Sequence, residues 1–411
     1  MVPLGSPKSH RRNTVNPWRG LDGLPKEVWL LASATLLNRA GTMALPFLAL
    51  YATQGMGFSA SRAGLAMLVY GAASLVAAPL GGYLSDRIGS LRVMKGSLAL
   101  SGCLMLLIPF TTSWPPLLGL VALWSLAAES FRPASMAILT DLAPEARRKA
   151  VFSLNRLAIN LGMSLGPALG GLLARHSYHA LFWVDGATAL AAALVLRLFT
   201  KGDGLRPEQE AHRPTHPFTA MNDRRLVWFL CGVLPAMVVF FQHEGALPVF
   251  LVDHLHYSPA FYGSLFLLNT GLILLLEVRL NLATAHWPRT RTLVLGASLS
   301  AMGFGALAFT HGRWGIWGTV IVWTFGEMIL LPAMSDQVAH FAPAARRGAY
   351  MGLFSMTVGL AFALGPWLGL FLMPRMGAIS LWLAMGALGL LSALIFARVD
   401  ESQPATVPGP A

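Results

Sequence analysis

Runs of about twenty apolar residues, separated by short polar breaks, recur along the whole chain. The hydrocarbon core of a bilayer, about 30 Å thick, is crossed by roughly 20 such residues in a helix. That template predicts twelve spans, over 28–50, 63–84, 93–112, 115–139, 150–174, 180–199, 226–252, 260–280, 292–310, 314–338, 349–372 and 378–397. The first apolar run contains Arg39 and follows a polar, Pro-containing, basic stretch, which suits a retained helix better than a cleaved leader. The longest polar interruption, Lys201 to Arg225, is rich in Pro, Gly and charge and reads as a linker. The expected organisation is therefore a tail over 1–27, a six-helix bundle over 28–199, a linker over 200–225, a second six-helix bundle over 226–397 and a tail over 398–411. The fold class is an all-α integral membrane protein.

Composition sharpens this picture. Of 411 residues, 55% are hydrophobic and only 12% are charged, where soluble chains carry roughly 25% charged residues. A soluble enzyme is excluded on that ground, and so is a disordered or fibrous chain. The two cysteines, Cys103 and Cys231, both lie in apolar stretches and offer neither a disulfide framework nor a metal spacing. A net charge of +12 would ordinarily raise nucleic-acid binding. Its distribution removes that reading. Of 30 Lys and Arg, 23 fall in the tails, in the loops after even-numbered spans or at the span ends adjoining those loops (Lys95, Arg197 and Arg279), and four (Arg62, Arg175, Arg313 and Arg375) in the loops after odd-numbered spans. By the positive-inside rule both termini are cytoplasmic, in a cell (inner) membrane.

The two halves repeat. Pro133 through Gly170 aligns without gaps on Pro332 through Gly369 at an offset of 199, matching Pro133-Ala134 to Pro332-Ala333, Pro144 to Pro343, Arg147-Arg148 to Arg346-Arg347, and Gly166-Pro167 to Gly365-Pro366. Ser59 and Gly64 fall on Ser258 and Gly263 at the same offset. Parallel repeats of six spans imply two bundles about an axis along the membrane normal, with a site between them near the midplane.

The loop Gly82-Tyr-Leu-Ser-Asp86-Arg87-Ile-Gly89-Ser-Leu-Arg92 resembles the signature loop of the major facilitator superfamily. Gly162-x-x-x-Gly166-Pro167-x-x-Gly170-Gly171 resembles that superfamily's antiporter motif, with Ser153 near the place of its upstream glycine. Within the superfamily the chain is most similar to twelve-span, proton-coupled drug exporters of the MdtH-like kind. The resemblance implies that Gly82, Asp86, Arg87, Gly89 and Arg92 form a gating loop that latches the bundles while the cytoplasmic side is closed. A capped turn with a topology-setting Arg cluster is the plain alternative. Gly162, Gly166, Gly170 and Gly171 make a smooth helix face onto which another backbone can pack, and Pro167 bends the helix where a neighbour can cover the break.

Charges inside spans are costly, roughly 2.5–3.5 kcal/mol each on the insertion scale, so each is expected to face a partner or a wet cavity. Arg39 lies in span 1, Glu129 and Arg132 in span 4 at i and i+3, His243 and Glu244 in span 7, and Glu327 in span 10. In the resembled fold spans 1, 4, 7 and 10 line the central cavity. Glu129, Glu244 and Glu327 are the candidate proton-coupling groups, with Arg39 and Arg132 as charge partners. Glu129 is the first choice as carrier, against a permanent Arg–Glu pair. The expected cavity lining is Asn38, Arg39, Glu129, Arg132, Asn155, Phe240, Phe241, His243, Glu244, Trp323 and Glu327. Asp185, Glu277, Arg279 and Asp336 are expected at the interfaces.

No phosphate-binding G-x-x-x-x-G-K-[ST] loop, metal cluster or nucleophile elbow occurs in the sequence. The chain is thus expected to be no enzyme and to need no cofactor or metal. The leading reading is a proton-driven exporter of small neutral or cationic amphiphiles, working as a monomer in the lipid bilayer with protons as coupling ion. The alternatives are a proton-coupled importer of sugars, peptides or organic acids, and a non-transporting membrane receptor or membrane-embedded enzyme. Two arginines against three carboxylates, among aromatic side chains, favour neutral or cationic ligands over anions.

Overall fold

Every described element is helical, and ten segments are long and apolar enough to cross a membrane: Ala60–Ile88, Ser90–Phe110, Ala150–Ala174, Tyr178–Leu198, Arg224–His254, Pro259–Thr284, Arg289–Phe309, Arg313–Phe341, Arg347–Met376 and Ala378–Phe396. These correspond to spans 2, 3 and 5 through 12. The computed structural model describes residues 24–142, 148–199, 217–310, 312–343 and 346–399. Most of the expected tails and most of the linker therefore lie outside the described residues, as do Pro144 and Arg147 of the repeat. At the linker's end Pro217–Asn222 forms a short 3-10 turn that buries Ala220.

Spans 1 and 4 complete the twelve, and neither is the single helix expected. Span 1 runs as Lys26–Gly41, breaks, and resumes as Leu48–Leu50 and a π-helical turn, Tyr51–Gly55. Pro46 explains the break, because it lacks an amide hydrogen and disfavours helical backbone at the residue before it. Span 4 runs as Trp114–Glu129, then Phe131–Leu142 beyond Ser130. The ring of Pro133 opposes the carbonyl of residue 129, four positions earlier, which is the steric cause of an interruption there. Glu129 and Arg132 consequently flank a break and do not share one regular helix face. Span 7 is likewise interrupted, by a 3-10 turn at Phe241–His243, the short helix Ala246–Val249 and a π turn at Phe250–His254.

The repeat survives in the backbone to the residue. The π turns Tyr51–Gly55 and Phe250–His254 stand 199 positions apart, as do the 3-10 turns Ile108–Phe110 and Leu307–Phe309. Gly57 and His256 are equivalent and both have positive φ, +69° and +54°. Ser59 and Ser258 each cap the following helix with a side-chain oxygen.

The two bundles meet along two seams. Span 2 packs on span 11, where Cβ atoms added at Gly64 or Gly71 would run into Leu370 or the Ala363 backbone, and one at Gly359 into Leu75. Span 5 packs on span 8, with Gly171 against Pro259 and Gly263. Further ties lie at the end carrying the loops after odd-numbered spans: Gln54 Nε2 donates to Asp253 Oδ1 at 2.6 Å, and Arg375 Nη1 to Ser61 Oγ at 3.2 Å. Gln54 and Asp253 are themselves repeat partners. Toward the opposite, termini-bearing end, the second piece of span 4 packs chiefly on its own bundle, as does span 10. The tie there between spans 5 and 8 is the ion pair Arg156–Glu277, at 2.7 Å.

Candidate functional site

The break in span 1 is held from two sides. Span 5 offers its glycine face: a Cβ at Gly162 would collide with the Cβ of Arg39, one at Gly166 would lie 2.6 Å from the Thr42 carbonyl, and one at Gly170 would lie 2.9 Å from the Met43 Cβ. These glycines of span 5 let the two backbones approach closely. Span 6 supplies Asp185, whose Oδ2 accepts from the amides of Met43 and Ala44 at 3.1 and 3.0 Å. Those amides lost their helical acceptors at the break, and a buried, unpaired amide costs about 1–3 kcal/mol. Asp185, only 4% exposed, is therefore a structural anchor of span 1 and not an interfacial residue. In the second bundle Gly365 and Gly369 receive span 7 in the same way, and Gln242 donates to the Gly365 carbonyl at 2.7 Å. The Tyr262 hydroxyl joins the two breaks, 2.9 Å from the His243 carbonyl and 3.2 Å from that of Pro46.

The carboxylates sit on matched frameworks. The Tyr70 hydroxyl of span 2 donates to Glu129 Oε1 at 3.0 Å. Its repeat partner Asn269, in span 8, donates through Nδ2 to Glu327 Oε2 at 2.8 Å and to Thr324 Oγ1 at 3.0 Å. Thr324 is the repeat partner of Ser125, whose hydroxyl donates to the Tyr70 carbonyl at 2.7 Å. Trp124 and Trp323 are a further matched pair, both buried. Neither Tyr70 nor Asn269 stands out in an apolar run. Their equivalence at offset 199 was the available signal.

His243 ends the 3-10 turn of span 7 and Glu244 follows it. His243 Nδ1 lies 2.7 Å from the Phe240 carbonyl, and its Nε2 lies 3.6 Å from Glu244 Oε1. The ring stacks on Trp323 at 6.0 Å. Phe240 reaches Phe241 and Trp323, so the expected aromatic group does come together. A small cleft beside it is lined by His243, Leu247, Tyr262, Leu265, Phe266, Asn269 and Trp323.

The arginines depart from expectation. Among the described residues neither Arg39 nor Arg132 forms an ion pair with Glu129. Arg39 lies within electrostatic reach of Tyr70 and Asp185, and its Nε is buried without a hydrogen-bond partner. Arg132 is exposed beyond the Ser130 break. Asn38 is half-buried, and its carbonyl accepts from Thr42 Oγ1. Asn155 is buried with Oδ1 unpaired, as are Glu244 Oε2 and the Trp323 Nε1. These orphaned polar atoms leave hydrogen-bonding capacity around the centre of the molecule.

The loop Gly82–Arg92 is a tight turn between spans 2 and 3. Gly89 has φ +93° and its amide donates to the Ser85 carbonyl at 2.9 Å, a conformation suited to glycine. Close helix approach belongs to Gly81, which meets Pro133 and Ser130, whereas a Cβ on Gly82 would meet nothing. Arg87 donates to the Tyr83 hydroxyl at 2.8 Å and lies over its ring. Asp86 is exposed and makes no contact of this kind among the described residues.

A family model described as Major Facilitator Superfamily matches residues 30–357 and 246–411. The chain is 27% identical over 350 residues to the uncharacterized MFS-type transporter YqjV of Bacillus subtilis, covering 83% of this chain and 85% of that one. It is 23% identical to a Na(+), Li(+), K(+)/H(+) antiporter of Planococcus maritimus, over 81% and 86% of the two chains. It is 27% identical to the class C tetracycline resistance protein of Escherichia coli, over 75% and 78%. Among solved structures, a point mutant of the nucleoside transporter NupG superposes with a TM-score of 0.80 at 14% identity, over 90% of this chain and 98% of that one. At that identity the likeness speaks for the fold alone.

Proposed function

The chain belongs to the major facilitator superfamily of multi-pass membrane transporters, and from that premise we propose that it exports small neutral or cationic amphiphiles in exchange for protons, by alternating access. The observation that carries this reading is the pair of carboxylates Glu129 and Glu327, which stand 198 positions apart and are held by the repeat-related donors Tyr70 and Asn269. Each is held by one polar side chain, beside aromatic residues, between bundles that are tied mainly at one end. A membrane-embedded carboxylate that changes protonation as access alternates can couple proton entry to substrate exit. Aromatic faces with carboxylates nearby attract organic cations and tolerate neutral amphiphiles. Two relatives, named as a proton antiporter and as a drug-resistance protein, support the same reading, which is that of the twelve-span, MdtH-like exporters.

In this scheme the excess of basic residues in the tails and the loops after even-numbered spans places both termini in the cytoplasm of a monomer. The tied end is then extracellular, and the structure corresponds to a cytoplasm-facing state. Asp86, exposed on the turn with Arg87 and Arg92 nearby, becomes a latch that engages when the cytoplasmic side closes. Glu129, Glu244 and Glu327 are the titrating candidates. Arg39 lies within electrostatic reach of Tyr70, the donor to Glu129, and Arg132 lines the approach from the cytoplasm. Glu327 and Glu244, with His243, Trp323, Phe240 and Phe241, form the ligand-facing wall, and Asn38 and Asn155 supply polar contacts on the first bundle.

Proteoliposomes holding the purified protein, given an imposed pH gradient, test this directly with ethidium, a glucose probe and a dialanine probe. Ethidium should accumulate against its own gradient, dissipating the pH gradient as it does so. Accumulation of glucose or dialanine with ethidium inert would support the importer in its place.

A further inference from the structure

Tyr70 stands where the two bundles touch and where Glu129 is held. Its hydroxyl donates to Glu129 Oε1, and its carbonyl accepts from Ser125 of the same bundle. Its ring lies edge-on to Trp124 at 4.9 Å and, across the seam, edge-on to Phe362 of span 11 at 6.1 Å. Phe362 in turn packs on Phe241 at 5.0 Å, two residues from His243. The neighbouring Gly71 has no room for a side chain against the Ala363 backbone. A rocking motion that parts spans 2 and 11 must therefore break the Tyr70–Phe362 contact at the level of the carboxylate.

The second bundle lacks this arrangement. Asn269, the repeat partner of Tyr70, is anchored to Thr324 within its own bundle as well as to Glu327. The position equivalent to Phe362 is Met163, which is 48% exposed. Glu327 thus has a donor insensitive to the seam, and Glu129 has one that spans it. The charged groups facing the Tyr70–Glu129 pair are Arg39 of span 1 and Glu244 at the break in span 7. Arg132 lies past the Ser130 break, span 11 presents uncharged Phe362 and Ala363, and Arg92 and Lys95 of span 3 lie at its termini-bearing end.

We propose that Tyr70 is the positioning residue through which the contact between the bundles sets the protonation of Glu129. This rests on the exporter reading above and selects Glu129 from its three candidate carboxylates. A hydroxyl donor distinguishes a carboxylate from its protonated form, so moving the donor changes how the site takes up a proton. Tyr70 itself transfers none.

The test uses ethidium in proteoliposomes and compares wild type with Tyr70→Phe, Phe362→Leu and Met163→Leu. Three quantities are read: pH-driven accumulation, exchange at equal pH on both sides, and the pH profile of that exchange. Tyr70→Phe keeps the ring contacts and removes the hydroxyl. It should hold peak exchange within about twofold, cut accumulation at least tenfold and displace the pH profile by about one unit. Phe362→Leu, which touches no carboxylate, should lower accumulation several-fold with the Tyr70 hydroxyl still present, whereas Met163→Leu, at the equivalent exposed position, should leave accumulation and the pH profile in place. A wild-type pH profile and wild-type accumulation in Tyr70→Phe, or in Phe362→Leu should the first variant fail to fold, would overturn the proposal while leaving the exporter reading intact. A wild-type protein that never accumulates ethidium would overturn both.

Discussion

Asp223 shows how a polar residue at a span boundary combines capping with charge. Its Oδ1 accepts from the Arg225 amide at 3.0 Å, and the Tyr350 hydroxyl donates to Oδ2 at 3.0 Å. Burial works to raise its pKa, but the donors from Arg225 and Tyr350 outweigh it and leave the carboxyl below the usual carboxylate range. A group with a depressed folded-state pKa stabilises the fold above its unfolded value, about 3.9, and loses that contribution as pH falls through the folded value. Replacing Asp223 by Ala should thus cost about 1 kcal/mol at pH 7, with the difference in melting temperature from wild type narrowing below about pH 4. Thermal unfolding in detergent at several pH values measures it. The same scale shows what was hidden in the sequence. Arg39 and Glu129 read as natural partners, yet side-chain reach gave Glu129 to Tyr70 and put Asp185 on the broken backbone of span 1.

At the scale of elements, hydropathy located the twelve spans because each needs a run of apolar residues, whatever its backbone does. Its averaging also concealed the interruptions in spans 1, 4 and 7, where Pro46, Pro133 and the Gly245 turn act on single peptide groups. The glycine pattern of span 5 was legible as a close-packing face, but its partner, the broken stretch Arg39–Met43, was not. Gly82 and Gly162 now separate cleanly. Gly162→Ala forces a Cβ into the Arg39 backbone region, an overpacking that typically costs about 1–3 kcal/mol, so it should lower the melting temperature and the yield of folded protein. Gly82→Ala places its methyl in open space and should leave the melting temperature near wild type. Comparable melting of the two variants would remove the glycine face as the seat of span 1.

For the whole molecule, the repeat was the most informative feature of the sequence, since Pro and Gly positions keep their roles when the side chains around them diverge. It carried the two-bundle architecture, and its offset recurs in the π turns and in the donors of both carboxylates. Orientation in the membrane rests on charge distribution. A thiol-reactive label on a cysteine placed at Ser258 should react from outside intact cells, and one placed at Gly204 only after permeabilisation; labels reporting one face would break the twelve-span count. The central claim is that protonation of Glu129 drives the cycle. Glu129→Gln fixes the site in its protonated likeness while retaining an acceptor for the Tyr70 hydroxyl. Ethidium transport by this variant in proteoliposomes, under a pH gradient and then in exchange at equal pH, is the most direct measurement. Exchange should persist within a few-fold of wild type and lose its pH dependence, and uphill accumulation should fall to the level of protein-free vesicles. Wild-type accumulation driven by the gradient in a well-folded Glu129→Gln protein would contradict the account.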